Sequence, residues 1–158
     1  MTEEARERLI TEQLRALATV VLTRRDDLSI VDTRRDTGVD LHVTIEREDK
    51  PMRLVFGILL RSVPAPIAPD QANKILKPTM GQFQGLRKFT YPLCLFLFSL
   101  REPQALCSWL AEPTVNDGVP KLVHHDHAEC MLLTTEWLNE FVERIVDWYD
   151  AVETVLIA

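Results

Sequence analysis

Hydrophobic residues recur at two different spacings along this chain, and each spacing predicts one type of element. Residues 3–22 carry an apolar stripe with the period of a helix, formed by Ile10, Leu14, Leu17 and Val21. Thr2 is a suitable N-cap for this helix. A second stripe, formed by Trp137, Phe141, Ile145, Trp148 and Val152, predicts a last helix that is capped by Thr134 or Thr135 and runs to about residue 154.

Residues 39–63 predict the central feature of the fold, two long strands joined by a charged turn at residues 47–51. Apolar and polar residues alternate in the first strand, as expected of a strand with one buried face. From Met52 to Leu60 the second strand is almost wholly apolar, which predicts a central strand covered on both faces. A short strand at residues 28–33 precedes this pair.

The rest of the chain alternates between helix-like and strand-like segments. We predict, in order, a Pro-rich connection at residues 62–69, a helix from Asp70 toward Lys88 that is broken or kinked at Pro78, strands at residues 91–100 and 105–110, a loop at residues 112–120, and a polar strand or loop at residues 123–133. The whole order predicts one α/β domain over residues 1–158, with a mixed sheet flanked by helices.

Composition excludes several classes of protein. The chain has 158 residues, of which 46% are hydrophobic, as in an ordinary globular domain. No apolar run reaches the ~20 residues of a membrane helix, and the charged N-terminus differs from a secretory signal. Three widely spaced cysteines, Cys94, Cys107 and Cys130, are expected to be reduced thiols rather than a disulfide or a metal knot. These features favour the cytoplasm.

Charge is unevenly distributed along the chain. The net charge is −6, yet residues 111–158 contain ten acidic and two basic residues and so carry −8 alone. Binding of nucleic acid depends on Lys and Arg meeting phosphates, so this third is a poor DNA surface. The basic residues that could face phosphates precede it: Arg24, Arg25, Arg34, Arg35, Lys74, Lys77, Arg87 and Lys88. Such runs are more often solvated faces of helices and turns.

Three local motifs, in this order, resemble one branch of a known superfamily. Residues 36–41 read Asp-Thr-Gly-Val-Asp-Leu, residues 56–61 form an apolar strand that ends in Arg61, and a strand from Tyr91 is followed by Ser108 and Trp109. Over roughly residues 3–153 they resemble a bacterial domain of unknown function in the PD-(D/E)XK restriction-endonuclease-like superfamily. The resemblance implies a core of helix, three strands, helix and strand, plus an extra strand and a C-terminal helix.

The resemblance also implies which residues would carry chemistry. Members hydrolyse phosphodiesters with Mg²⁺ held by an Asp on the second strand and an acid or Gln on the third, followed by a Lys two residues later. Asp40 matches the Asp, but Leu59 replaces the acid and Arg61 replaces the Lys. Arg stays protonated, so it cannot act as a base, although it can hold a phosphate. Asp40 would be the remaining metal ligand, supplemented by Glu7 or the carbonyl of Leu60.

Each of these residues also has a plain structural interpretation. Asp40 could accept hydrogen bonds from backbone N–H groups, and Arg61 could form a salt bridge at the end of a strand. A further cluster contains zinc-ligand residue types, His124, His125, Asp126, His127, Glu129 and Cys130. On a strand His125 and His127 would share one face, but no second cluster completes four ligands. A solvated edge strand is the alternative for this segment.

The sequence leaves two functional hypotheses of different class. The first is a catalytically inactive nuclease-like module that binds a protein partner or a second copy of itself, without a cofactor, with Trp148 and Tyr149 as possible contacts. For this module the resemblance implies a bacterial defence or mobile-element context. The second is a divergent nuclease or nucleic-acid-binding protein that uses Mg²⁺, Asp40, Glu7 and Arg61. A zinc- or thiol-dependent enzyme is a third interpretation. Because Leu59 offers no ligand oxygen, we expect no enzymatic activity.

Overall fold

Three helices and seven strands follow one another in a computed structural model that describes residues 1–31, 38–48, 53–82 and 90–157. In chain order they are α1 (Glu3–Leu22), β1 (Leu28–Val31), β2 (Leu41–Ile45), β3 (Leu54–Val63), α2 (Pro69–Gln82), β4 (Leu93–Ser99), β5 (Ala105–Asn116), β6 (Val119–His124), β7 (Met131–Leu132) and α3 (Thr135–Ile157). Several predicted features lie outside the described residues: Asp36 of the first motif, residues 49–51 of the charged turn, and Arg34, Arg35, Arg87 and Lys88.

The two long helices begin where the sequence predicted. Thr2 caps α1, since its Oγ1 accepts a hydrogen bond from the Ala5 N–H at 3.2 Å. Thr134 caps α3 in the same way, through the Trp137 N–H at 3.0 Å. In the described part of the chain, every helix is too short or too polar to cross a membrane.

The helix α2 differs from its prediction at both its start and its middle. It begins at Pro69 rather than after Asp70, and β3 extends through residues 62 and 63 of the predicted connection. It also runs through Pro78 without a break. Pro78 has no N–H for the carbonyl four residues earlier. That residue, Lys74, is exposed, so water can satisfy the free carbonyl.

The seven strands form one open, mixed sheet in the order β1-β2-β3-β4-β5-β6, and β7 pairs with β5 beyond the end of β6. β3 and β4 pair in parallel. The other neighbouring strands pair antiparallel. The predicted order of helix, three strands, helix and strand is confirmed, as is the α/β domain with a mixed sheet flanked by helices.

Two hydrophobic cores lie on opposite faces of this sheet. The first joins α1 and α3 to one face through residues such as Leu14, Phe56 and Phe141. The second joins α2 to the other face. Trp148 is 7% exposed and packs edge-on against Tyr149, with ring centroids 4.9 Å apart. Its ring therefore offers little surface for the predicted partner contact.

The predicted loop at residues 112–120 is a β-hairpin. β5 continues to Asn116, which pairs with Val119 at the start of β6. The two residues between them, Asp117 and Gly118, have φ angles of 53° and 76°. Positive φ at both central positions suits a tight hairpin turn whose twist matches the strands, and an Asp-Gly pair is a typical choice there. The loop prediction is wrong here, because the Pro, Asn, Asp and Gly residues that favour a loop also fit two paired strands and a tight turn.

Residues 125–130 do not form the solvated edge strand that was the alternative to a metal site. β6 ends at His124, and the segment after it forms hydrogen bonds that are not part of a regular strand pairing. The His125 N–H donates to the Leu110 carbonyl at 2.9 Å, and the Glu129 N–H donates to Ser108 Oγ at 3.0 Å. These bonds turn the segment back over β5.

Gly57 on β3 lies at a tightly packed point in the centre of the sheet. A Cβ added there would lie 2.7 Å from Leu93 Cδ1 and 2.9 Å from Val39 Cγ1. We expect Gly57→Ala to lower the free energy of unfolding by about 1–3 kcal/mol, because buried side chains must move. Urea unfolding measures this change. In the control, Gly81→Ala on α2, the added Cβ meets nothing within 4 Å, so stability should rise by up to about 1 kcal/mol. An unchanged stability in Gly57→Ala would contradict the crowding.

Tyr149 on α3 gives the fold a measurable response to alkaline pH. Its hydroxyl donates to the Val55 carbonyl at 2.5 Å, and burial raises its pKa to about 12 from an ordinary value of 10.0. The unfolded chain loses this proton above about pH 10 while the folded chain keeps it, so stability should fall as the pH rises from about 10 to about 12. In urea unfolding, Tyr149→Phe should be less stable by about 1 kcal/mol near neutral pH and lose less stability than the wild type at high pH. Equal losses in both proteins would contradict this role.

Candidate functional site

Asp40 lies at the end of the ladder between β2 and β3. Its backbone N–H donates to the Ile58 carbonyl at 3.1 Å. Its carboxylate Oδ2 accepts from the Leu60 N–H at 2.7 Å. The side chain thus adds one hydrogen bond where the backbone pairing of β2 ends. This agrees with the structural interpretation of Asp40, in which its carboxylate satisfies a backbone donor.

Arg61 is next to this carboxylate. Its Nη1 lies 3.4 Å from Asp40 Oδ2 and donates to the Leu60 carbonyl at 2.7 Å. The Arg61 and Asp40 side chains are 37% and 43% exposed, respectively. A pair this accessible contributes less than about 1 kcal/mol through charge alone. One guanidinium nitrogen therefore lies close to Asp40 Oδ2 and to the Leu60 carbonyl oxygen, two of the oxygens that the resemblance would offer to a metal.

Leu59, the residue in place of the acid, is a core residue. It is 1% exposed and packs in the core beneath α2, together with Ala72 and Leu76. Successive side chains of a strand point to opposite faces, so Leu59 and Arg61 share the face toward α2. Leu59 is enclosed there, whereas Arg61 emerges at the end of the strand.

Glu7 is placed apart from these residues. It is exposed on the first half of α1, beside a shallow hollow formed with Met1, Arg6 and Ile10. The α1 residue that reaches Asp40 is Arg15, whose Nη1 lies 3.4 Å from the Asp40 carbonyl. At 1.5 Å of rise per residue, Glu7 is about 12 Å from Arg15 along the helix axis. Asp40 therefore lies beside Arg61, whereas Glu7 lies about two helical turns before Arg15, the α1 residue that contacts Asp40.

The side chains at this site do not fit a Mg²⁺ ion. Magnesium needs near-octahedral oxygen ligands at about 2.0–2.1 Å. Here the carboxylate Oδ2 of Asp40 already accepts from a backbone N–H, and the carbonyl of Leu60 already accepts from Arg61. A cation at these two oxygens would compete with the positively charged guanidinium of Arg61. The side chains here form an Asp–Arg ion pair and offer a single carboxylate as a metal ligand.

A second polar site lies between β5 and α3, where side chains enclose a hollow of about 260 Å³. We name it the tryptophan hollow, after Trp109 and Trp137; its other lining residues include Glu112, Glu129, Glu140 and Arg144. Glu112 forms two ion pairs there. One oxygen lies 2.8 Å from His125 Nε2 and the other lies 2.9 Å from Arg144 Nη2. The carboxylate of Glu112 is therefore neutralised within the chain.

His125 and His127 both line this hollow. Each imidazole is close to a different carboxylate, since His125 Nε2 lies 2.8 Å from Glu112 and His127 Nδ1 lies 2.6 Å from Asp126. Burial raises the pKa of the nearby Cys130 thiol to about 11, so it stays protonated at neutral pH and is a poor metal ligand. Across residues 1–31, 38–48, 53–82 and 90–157, no three His, Cys, Asp or Glu side chains are grouped as metal ligands.

The sequence did not predict this hollow because its residues come from distant segments. Glu112 lies in the segment predicted to be a loop, and Arg144 lies on the last helix. No local spacing relates them. The Asp117-Gly118 pair was the signal that could have extended β5 through Glu112 and placed its side chain on the face beneath α3.

The cysteines and a His–Tyr pair complete the titratable groups inside the fold. Cys94, Cys107 and Cys130 are free thiols, as predicted. His42 Nε2 lies 2.8 Å from the Tyr91 hydroxyl. Burial lowers the pKa of His42 and raises that of Tyr91 to about 12. Both rings are consequently neutral at neutral pH, and neither lies at the tryptophan hollow.

Comparison of the chain with protein-family models, with curated proteins and with solved structures gave no significant match.

The bond from Asp40 to the Leu60 N–H predicts a difference between two substitutions. Asp40→Ala should lower the free energy of unfolding by about 1 kcal/mol, because a backbone donor loses its partner. Asp40→Asn keeps an acceptor oxygen and should lose less, since it gives up only the charge beside Arg61. Urea unfolding of the wild type and both variants measures the difference. Equal stability of Asp40→Ala and the wild type would contradict a structural role for this carboxylate.

Proposed function

We propose that this chain is a catalytically inactive nuclease-like domain that acts as a binding module. The observation that carries the proposal is the position of Arg61 Nη1, at 2.7 Å from the Leu60 carbonyl and 3.4 Å from the Asp40 carboxylate. The only strand-two carboxylate that the family resemblance would offer to a metal is engaged by the chain itself. A bacterial defence or mobile-element context, which the resemblance implies, is part of the proposal.

Hydrolysis of a phosphodiester at this site would need a bound metal and a group that activates water, and the residues present are poorly suited to provide either. The first is a metal with several oxygen ligands, and the side chain in place of the second acid is the buried Leu59. The second is a group that can position or deprotonate water. Arg61 is protonated at all physiological pH values, so it offers charge but no base. The lack of a second acid and the lack of a base both support a binding module without catalytic activity.

The charges of the chain favour a protein over a nucleic acid as its partner. Residues 111–158 carry −8, and β5, β6 and α3 fall within or end in this acidic segment. Phosphate backbones are repelled by such a surface. Apolar side chains are exposed at the end of α3, where Val155, Leu156 and Ile157 are 55%, 72% and 76% exposed. An apolar patch of this kind fits contact with a protein or with a second copy of the chain.

The three free cysteines support a reducing compartment for this module, and we place it in the cytoplasm. Burial raises the pKa of each thiol. The thiols are therefore protonated and unreactive, which also weighs against the interpretation as a thiol-dependent enzyme.

A nuclease assay tests the proposal. We expect no cleavage when the protein is incubated with single-stranded and double-stranded DNA and RNA in Mg²⁺ or Mn²⁺, and no heat of Mg²⁺ binding in calorimetry. Arg61→Ala should leave this result unchanged, because removing the guanidinium still leaves one carboxylate and no second acid. Arg101→Ala, on an exposed residue outside the site, is the matched control for loss of a positive charge.

Cleavage by the wild type that disappears in Asp40→Asn would overturn the proposal. It would instead support the alternative, a divergent Mg²⁺-dependent nuclease that uses Asp40. Because Asp40→Asn keeps the hydrogen bond to the Leu60 N–H, a loss of cleavage in this variant would report a lost metal ligand rather than a lost fold. Cleavage that persists in Asp40→Asn would identify a contaminating nuclease and leave the proposal standing.

A further inference from the structure

The tryptophan hollow has two rigid aromatic walls. The ring of Trp109 stacks on Phe141, with centroids 4.5 Å apart and planes inclined by 23°. The ring of Trp137 also stacks on Phe141, at 4.8 Å and 25°. Phe141 is 1% exposed, so both indoles are fixed against the first core. Trp137 is only half-buried and offers part of its surface to a ligand.

The chain itself shows what this hollow binds. The guanidinium carbon of Arg144 lies 5.9 Å from the centroid of the Trp109 ring, and its Nη2 lies 2.9 Å from Glu112. A cation over an indole face is attracted by the ring electrons, and the carboxylate adds a charged hydrogen bond. One side of the hollow is thus a guanidinium site that the chain fills with its own arginine.

The lining of the hollow also includes a second indole, Trp137, and two further carboxylates, Glu129 and Glu140. Three carboxylates therefore line the hollow against the single guanidinium of Arg144, which already pairs with Glu112. Among the described residues neither Glu129 nor Glu140 pairs with a Lys or an Arg, and His127 Nε2 lies 3.7 Å from Glu129. The surplus charge is negative.

An anionic ligand does not suit this hollow. Each group that could hold an anion already faces a carboxylate: Arg144 and His125 face Glu112, and His127 faces Asp126 and Glu129. A phosphate would break these pairs and meet the remaining carboxylates at close range. The volume of 260 Å³ also lies below the roughly 300–1,000 Å³ of ordinary small-molecule sites. The size fits one side chain.

We propose that the tryptophan hollow binds an arginine side chain presented by a protein partner. Arginine is favoured over lysine because its planar guanidinium stacks on an indole while donating to a carboxylate, as Arg144 does on Trp109. The proposal names the chemistry of the partner and so rests on the proposed binding role. It does not depend on whether Asp40 binds a metal.

A peptide titration tests this site directly. The probe is acetyl-Gly-Arg-Gly-amide, and its partner probe carries citrulline, which has the shape of arginine without the charge. The indole N–H signals of the three tryptophans are followed by NMR. We expect the arginine peptide to shift the signals of Trp109 and Trp137 but not that of Trp148, which is buried away from the hollow lining. The citrulline peptide should bind about tenfold more weakly, since it loses the cation–π and ionic contacts.

Two variants of α3 distinguish binding in the hollow from general attraction of the peptide to an acidic surface. Glu140→Gln removes a carboxylate of the hollow and should weaken binding of the arginine peptide about two- to fivefold, the range of an exposed ion pair. Glu143→Gln removes an equal charge from the same helix at an exposed position outside the lining. This control should leave the affinity unchanged. Glu129→Gln, which removes another carboxylate of the lining, should have the same effect as Glu140→Gln.

Equal affinity for the arginine and citrulline peptides would overturn the proposal. Equal weakening in Glu140→Gln and Glu143→Gln would do the same, because it would show attraction to the acidic surface as a whole. These outcomes are distinct from failure of the proposed function. Metal-dependent cleavage that requires Asp40 would overturn the inactive-module proposal, while binding of the arginine peptide by Asp40→Asn would still support the hollow.

Discussion

Burial of β3 and β4 on both faces is the constraint on which the rest of the structure depends. Every residue of β4 is buried, and β3 contributes alternate side chains to the core beneath α1 and α3 and to the core beneath α2. A charged group in the middle of such a strand would lose its hydration at a cost of several kcal/mol. Polar side chains are therefore confined to the ends of these two central strands and to other elements, such as β5 and α3. The two polar sites of this chain lie at those places.

The same burial explains why Leu59 and Arg61 differ although they share a face of β3. Leu59 lies beneath α2, where an unpaired carboxylate would be strongly destabilising. Arg61 lies where the strand emerges, so its guanidinium reaches both water and Asp40. An apolar residue at position 59 stabilises the sheet and offers no oxygen to a metal. The burial that favours Leu at this position is therefore also the reason that a carboxylate would be unfavourable there.

The sequence predicted the features of this fold that depend on local periodicity. The caps Thr2 and Thr134, the alternation in β2 and the apolar runs of β3 and β4 are all determined by neighbouring residues. The β5–β6 hairpin was not predicted, because the Pro, Asn, Asp and Gly residues of this segment favour a loop as well as a tight turn. Pro120 is tolerated because β6 lies at the edge of the sheet, where a missing N–H costs little.

Contacts between distant segments were beyond prediction from a single sequence. The sequence named Asp40 and Arg61 through a resemblance, and their hydrogen bonds to Leu60 emerged only when β2 and β3 were paired. The tryptophan hollow forms only with the observed pairing of β4 and β5, which contains a bulge, and with α3 packed on β5. No sequence spacing predicts this arrangement, because Trp109, Glu112 and Arg144 are brought together by tertiary packing.

The two polar sites differ in whether their charges are balanced. At the end of β3 one carboxylate meets one guanidinium, so the charges of this exposed pair balance. In the tryptophan hollow an equivalent pair, Glu112 and Arg144, leaves Glu129 and Glu140 as additional carboxylates beside an indole. Only the second site gains favourable contacts from a cation that arrives from outside. Recognition in this fold is therefore expected on the face beneath α3, at a distance from the strand end where the resemblance would place catalysis.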